Sequence, residues 1–343
     1  MPALRLTQLT GAGGCSAKIA QADLAPIVHQ LAAPAQGDLL VGAESMDDAA
    51  VYRFSADRWL VATTDFFPPP VDDPADFGAI ATANALSDVY AMGGRPLLLL
   101  NLVGFDLTQL PAEVLTAILG GGAEVAREAG CLIAGGHSIR TAEPVFGCAV
   151  VGEVRPGQLV TNAGARAGDR VYLTKPLGTG VVLNAHRQER APRAALAAAV
   201  ASMRALNRDA AQAMLRAGAT AATDVTGFGL LGHAQNLARA SGVRLKLRAD
   251  ALPLLAGSRE LVELGFVPGG SRRNLELAEA AGQLGERVPR WLRVLACDAQ
   301  TSGGLLVTVA ASSGAALEAD LASAVEVGEV APAGSGSSGV ELV

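Results

Sequence analysis

The sequence predicts an α+β protein of two domains, each a mixed or antiparallel sheet packed with helices. Three observations lead there. Apolar runs of strand length alternate irregularly with longer helical stretches, so no regular βαβ series forms. Half of the 343 residues are apolar but only 4% are aromatic, so both cores must rest on Val, Leu, Ile and Ala. Turn-rich stretches at Pro156-Gly157 and from Asn162 to Gly168 divide the chain into two units of ordinary domain size. The boundaries read as a flexible glycine-rich segment over 1–44, an N-terminal domain over 45–160 and a C-terminal domain over 161–343.

Val51 to Thr64 reads as a hairpin, with VYRF and WLVATT as strands and Ser55-Ala56-Asp57 as the turn. Asp76 is the expected N-cap of a helix running through Met92 and closed by Gly93-Gly94 and Pro96. LLLLNLVGF is a buried strand, and Pro111 to Gly130 forms a second amphipathic helix. CLIAGG and VFGCAVVGEV are strands joined by a His137-Ser138 loop, which makes the first unit β-β-α-β-α-β-β. Beyond the linker, DRVYLTKPLGTG is a strand entering a glycine-bearing turn, and Arg190 to Ala217 is a long alanine-rich helical region. AATDVTGFGLLGH runs from strand to loop to helix, VRLKLRA alternates as a strand does, and CDAQTSGGLLVTVA is a turn followed by a strand. The tail PAGSGSSG is loop-like.

A net charge of −6 with no offsetting basic cluster argues against nucleic acid as a partner. The longest apolar stretch falls far short of the roughly 20 residues a spanning helix needs, which argues against a membrane. MPALRLTQLT lacks the charged start and apolar run of a signal peptide, so a cytoplasmic location is expected. Four cysteines, Cys15, Cys131, Cys148 and Cys297, lie far apart and fit a reducing compartment. Cys131 and Cys148 sit in apolar strand-like runs and read as core residues, which leaves Cys15 as the thiol expected to be accessible.

Cys15 closes a run that reads Gly11-Ala12-Gly13-Gly14-Cys15-Ser16-Ala17-Lys18. Such a backbone reaches φ values closed to other residues and presents a thiol and an amine side by side. Only three lysines, Lys18, Lys175 and Lys246, occur in the chain, so a lysine here suits a phosphate or thiolate partner of a compact ammonium. Its charge is expected to lower the Cys15 pKa. The plain alternative is a frayed terminus with an incidental thiol.

A second constellation consists of Asp47-Asp48, Asp65, Asp88 and Asp224, each at the edge of an apolar element. Oxygen-only donors at element ends suit a hard cation such as magnesium bridging to substrate phosphates. Asn84 and Asp88, four residues apart, share one helical face. Any one aspartate reads by itself as a cap or turn residue, as do Asp76 and Asp298, and the case rests on their joint appearance. His137 is the histidine beside a glycine-rich turn, so a zinc site lacks ligands. Gly135-Gly136-His137-Ser138 could lay backbone amides against phosphate, whereas the Lys175 to Gly180 loop lacks P-loop spacing.

Together the runs GAGGCSAK, LLVGAESMDDAAVY, TTDFF, NALSDVYAMGG, AGGHSI, LTKPLGTG, TDVTGFGLLGH and DAQTSGG resemble the selenophosphate synthetase (selenide, water dikinase) family, in order from about Leu6 to Val343. Several of these runs also resemble the wider superfamily of aminoimidazole-ribotide synthetase and thiamine-monophosphate kinase; Cys-x-x-Lys in a glycine-rich leader is what points to selenide. The resemblance implies synthesis of selenophosphate from ATP, selenide and water with release of AMP and phosphate. It implies the aminoimidazole-ribotide synthetase-like fold and a homodimer whose N-terminal sheets pair. By motif, Cys15 is the catalytic thiol and Lys18 the catalytic amine that also contacts ATP phosphate. Asp48, Asp88 and Asp224 are magnesium ligands, at one or more ions per subunit. Ser45, Met46, Asp47, Asp65 and Asp88 match the nucleotide contacts, and Gly136, His137 and Ser138 match a contact reached across the dimer. Potassium and a selenium-delivery protein are left open. Ala17 stands where some members have a second cysteine, and Gly11 where a histidine is often found, so a mechanism needing either is not supported here. The rivals are a small-molecule kinase or ATP-dependent cyclo-ligase of the same superfamily, which would not need Cys15, and a non-catalytic nucleotide-binding redox sensor.

Overall fold

The computed structural model describes residues 4–19, 27, 37–333 and 338–343. The rest of the glycine-rich leading segment and the middle four residues of the PAGSGSSG tail lie outside the described residues. The expected α+β class holds, as two mixed six-stranded sheets packed with helices.

The first sheet consists of β1 (Leu39–Val41), β2 (Ala50–Arg53), β3 (Trp59–Phe67), β4 (Arg95–Gly104), β5 (Leu132–Ile139) and β6 (Val145–Val154). Their spatial order is β1-β2-β3-β6-β4-β5, antiparallel throughout except for the parallel β4–β5 pair. β1 lies inside the stretch expected to be a flexible leader and pairs with β2, so the sheet begins before residue 45. His137 and Ser138 belong to β5 rather than to a loop, and residues 140–144 make the connection to β6.

Helices α1 (Pro74–Ala91) and α2 (Ala112–Glu128) pack together on this sheet. α1 is apolar or small all round, the pattern of a helix without a water-facing stripe, and 14 of its 18 residues are buried. Its N-cap is Asp73, not Asp76: the Asp73 side chain accepts from Asp76 N at 2.8 Å, and Pro74 occupies the first helical position, where no N–H is needed. Asp76 instead receives Arg204 at 2.6 Å.

The second sheet consists of β7 (Arg170–Leu173), β8 (Ala221–Asp224), β9 (Val243–Leu247), β10 (Leu305–Val309), β11 (Val325–Pro332) and β12 (Gly339–Leu342). Its order is β12-β9-β11-β7-β10-β8, with only β12–β9 parallel. Around it lie α3 (Thr179–Arg187), α4 (Arg193–Arg204), α5 (Arg208–Arg216), α6 (Gly229–Ser241), α7 (Ser258–Glu263), α8 (Gly269–Ala280), α9 (Arg290–Ala296) and α10 (Gly314–Asp320). The Arg190 to Ala217 region is helical as expected and consists of two helices. They break at 205–207, where Lys175 Nζ takes Ala205 O at 2.6 Å and Asn207 Nδ2 reaches Ser87 on α1 at 2.8 Å. α1 also packs on β8, α4 and α5, so it is shared by both domains. No described helix is long and apolar enough to cross a membrane.

The two helices of the first domain meet backbone to backbone. A Cβ on Gly78 would fall 1.8 Å from Ile118 O, and one on Gly121 would fall 1.9 Å from Ala75 O. Gly121→Ala must push α2 off α1. It is expected to cost about 1–3 kcal/mol, read as a lower urea midpoint at unchanged slope.

Candidate active site

The leading segment is tied to both domains. Arg5 Nε and Thr7 Oγ1 hold Asp72, just ahead of α1, at 2.8 and 2.6 Å. Arg5 also pairs with Glu189 and donates to His186 O at 3.0 Å, at the end of α3. Further on, Gly14 N bonds Pro68 O at 2.9 Å and Cys15 N bonds Thr301 Oγ1 at 3.1 Å. The backbone passes so close to Gly227 that a Cβ there would stand 2.9 Å from Cys15 O. Cys15 is thereby clamped between the domains and is 1% exposed, which overturns the expectation of an accessible thiol.

Side chains from three elements converge on it. Cys15 Sγ donates to Asn84 Oδ1 at 3.4 Å, and Asn84 Nδ2 donates to Asp65 Oδ2 at 2.5 Å. The same Asp65 oxygen receives Lys18 Nζ at 3.0 Å. Asp88, one turn beyond Asn84 on α1, accepts from Thr63 Oγ1 at 2.5 Å. Asp48, just before β2, accepts from Thr223 Oγ1 at 2.8 Å, and Asp224 follows Thr223 at the end of β8. Ligand atoms of Asp48, Asp224 and His233 all lie within 4.8 Å of one another.

This donor set fits a hard divalent cation. Asp48 Oδ2 and Asp224 Oδ2 are buried, yet neither has a hydrogen-bond partner among the described residues. A buried carboxylate oxygen without a donor is costly, and two of them facing one space call for a shared positive charge. His233 Nε2 accepts from Thr226 N at 3.1 Å, and its ring lies 5.4 Å from that of Phe228, so the carboxylates are the main donors.

Burial is the largest influence on the ionisable groups here. It raises Asp48, Asp88 and Asp224, and their mutual repulsion adds to the effect. It also pushes the Cys15 thiol up to about 12, against the opposing pull of Lys18. The sequence reading had Lys18 lowering that pKa; desolvation reverses the sign. Burial works against the Lys18 ammonium too, but the neighbouring carboxylates Asp65, which accepts from its Nζ, and Asp88 favour the charged form. Lys175 is pushed down to about 7 by burial, and its Nζ donates to Ser302 O at 3.1 Å as well as to Ala205 O.

Family models described as AIR synthase related protein, N-terminal domain, and AIR synthase related protein, C-terminal domain, match residues 46–154 and 166–341. A thiamine monophosphate kinase structure from Aquifex aeolicus superposes with a TM-score of 0.67 at 20% identity, over 94% of this chain and 96% of that one, which places the fold. Selenide, water dikinase of Burkholderia pseudomallei is 49% identical over 307 residues, covering 89% of this chain and 87% of that protein. The chain belongs to the selenide, water dikinase family. The family member from Myxococcus xanthus is 45% identical over 345 residues, 99% of this chain and 97% of that protein.

Within this selenide, water dikinase fold, Cys15, Lys18, Asp48, Asp65, Asp88 and Asp224 come together as one site. Met46 joins Cys15 and Lys18 in lining one cavity. Ser45 and Asp47 sit in the turn before β2, where Asp47 Oδ1 accepts from Asn162 N at 2.6 Å and so ties the first domain to the linker. Gly136, His137 and Ser138 lie apart, on the β5 edge, three strands across the sheet from Asp65. Sequence reasoning missed His233, Thr63, Thr223 and Lys175. His233 closes the TDVTGFGLLGH run and was passed over in favour of His137. Nor did it find Ser302, whose φ of 48° aims its N–H at Asn84 Oδ1, 2.9 Å away. Asp298, read as a turn residue, is a buried carboxyl bonded to Ser271, Gln300 and Val181 N.

The buried, protonated thiol has a measurable consequence. Without nucleotide, Cys15 should react with iodoacetamide at pH 7 at least about tenfold more slowly than in the unfolded chain. Its rate should still be climbing between pH 8 and 10, followed on the Cys15 peptide by mass spectrometry. A plateau near pH 7 would contradict the assigned protonation.

Proposed function

We propose that this chain makes selenophosphate from ATP, selenide and water, releasing AMP and orthophosphate. One observation carries the reading: a thiol and an ammonium three residues apart are held, through Asn84 and Asp65, at the rim of a carboxylate cluster with two orphaned oxygens. A kinase or cyclo-ligase of the same fold would have no use for Cys15 in that position.

Phosphoryl transfer asks a protein mainly for positioning and for charge neutralisation. Asp48, Asp88 and Asp224 would hold magnesium, which when bound offsets the charge of the triphosphate and aligns it. Lys18 is the mobile cation of the site: its side chain remains 36% exposed beside Asp65, within reach of an incoming phosphate. Hydrogen selenide is already a monoanion at neutral pH and needs no general base. What it needs is relief from repulsion and exclusion of competing water. Cys15, which keeps its proton, can turn its S–H from Asn84 Oδ1 towards the anion, and Lys18 offers N–H donors. Together they can orient a soft anion towards the terminal phosphoryl group. The Gly11–Lys18 segment, bonded to Pro68 on one side and Thr301 on the other, shields that space from water.

A homodimer joined through the first sheet is part of the proposal. Every residue of β5 is exposed, Leu132, Ile133 and Ile139 among them, and no described strand pairs with its outer edge. Pairing there would set Gly136, His137 and Ser138 at the joint, where the nucleotide reading needs them. The cytoplasmic location rests on the leading residues and the cysteine pattern, and a potassium requirement and a selenium-delivery partner rest on the resemblance.

Phosphorus NMR of the reaction with and without selenide tests the reading. AMP and selenophosphate should appear only with selenide, and ADP as the sole nucleotide product would overturn it. Cys15→Ala should lower selenophosphate formation about a hundredfold, the scale of losing one aligned donor, while ATP binding persists. Asp224→Asn should abolish the magnesium-dependent rise in Tm that ATP confers on the wild type, and an unchanged rise would remove Asp224 from the ligand set.

A further inference from the structure

A cavity of about 380 Å³ opens beside the site, walled by the Cys15–Ile19 segment, α6 and α8. From α6 it takes residues 231, 232, 235, 236 and 239, and from α8 residues 270, 273, 274, 277 and 278, one face of each helix. Leu231, Phe228 and Leu277 make its apolar surface. The charge of the lining is all of one sign. Lys18, Arg239 and Arg273 face the cavity, and among the described residues no carboxylate does, in a chain whose net charge is −6.

The two arginines are not committed elsewhere. Some surface arginines are ion-paired, such as Arg95 with Glu153, Arg204 with Asp76 and Arg216 with Asp320. Among the described residues Arg239 and Arg273 form no ion pair. Lys18 belongs to both sides: it lines the cavity while its Nζ touches Asp65 of the carboxylate cluster. The segment bearing Cys15 and Lys18 is thus a partition between a negative compartment and a positive one.

Resting on the function proposed above, we propose that hydrogen selenide enters through this cavity, gathered by Arg239 and Arg273 and passed to Lys18 and Cys15. The physical reason is that the reaction joins two anions. The triphosphate belongs with the cation held on Asp48, Asp88 and Asp224; a selenide anion approaching from that side would meet a full negative field. A cavity mouth lined by cations of one sign draws a small anion in and raises its local concentration. Passage involves no covalent step: the anion exchanges water for guanidinium and ammonium contacts and arrives at the thiol unchanged.

Steady-state kinetics on the full chain tests this. In the Arg239→Gln/Arg273→Gln double variant, KM for selenide should rise roughly three- to tenfold, the range of two exposed ion contacts, with KM for ATP within about twofold. The salt dependence of kcat/KM for selenide should shrink in parallel, because surface charges steer through a screened field. Arg273→Glu should raise KM for selenide further. An unchanged KM for selenide, or an equal rise in KM for ATP, overturns the proposal. Bromide provides a readout independent of turnover: soaked crystals should show an anomalous peak between the two arginines in the wild type and none in the double variant. A wild type that makes no selenophosphate from selenide sinks both the proposed function and selenide as the occupant, with bromide then reporting whether an anion cavity stands. Turnover with no bromide in the cavity and an unchanged KM sinks the entry route alone.

Discussion

Helix α1 is buried on nearly every side and yet carries Asn84, Ser87 and Asp88, and this constraint organises the molecule. A polar group inside a packed interior costs on the order of 1–3 kcal/mol if left without a partner, so each must be met from outside the helix. Asn84 is met by Asp65, Ser302 N and the Cys15 thiol, Ser87 by Asn207, and Asp88 by Thr63. Two of these partners, Ser302 and Asn207, come from the second domain. The hydrogen bonds that rescue α1 therefore also set how the domains meet, and the place where they meet is the site.

Electrostatics follows from the same burial. Asp48, Asp65, Asp88 and Asp224 stand closer together than like charges tolerate without a counter-charge, and desolvation raises three of them. Lys18 supplies one positive charge, and the orphaned oxygens of Asp48 and Asp224 mark where another belongs. Across the Cys15 segment the sign inverts, with Arg239 and Arg273 unopposed in the cavity wall. A reaction between a polyphosphate and an anionic nucleophile calls for this kind of sorting, because neither partner can be neutralised by the other. The cost falls on Cys15: packed out of water, it keeps its proton and acts as a donor rather than a thiolate.

Much of this was legible in the sequence where a residue type has one physical use. Apolar runs of strand length located most strands of both sheets, and the aspartates noted at element ends do gather in one buried cluster. Errors arose where local chemistry admits more than one outcome. Asp73 and Asp76 both look like caps, and only the geometry of Pro74 chose between them. GGHS reads as a turn by composition but is β5, paired to β4 in register from Leu100↔Gly135 onwards. The alanine-rich run before Ala217 is helical as its propensity suggests, but its division at 205–207, where Lys175 and Ser87 engage Ala205 O and Asn207, is set by tertiary contacts. β11 escaped notice because Gly328 and Pro332 punctuate its run, and β12 because it is four residues long; both gain their stability from neighbours distant in sequence.

By itself the sequence determined the α+β class, the two-domain division, the family resemblance and the cast of chemical groups, since composition, periodicity and motif spacing are properties of the chain. Tertiary structure decided their environment. Cys15 became buried and protonated instead of exposed and activated, His233 rather than His137 came to lie beside the carboxylates, and three scattered cations became the lining of one cavity. The reason is that desolvation and the summed field of neighbours depend on distances between residues far apart in the chain, and no local pattern encodes those distances.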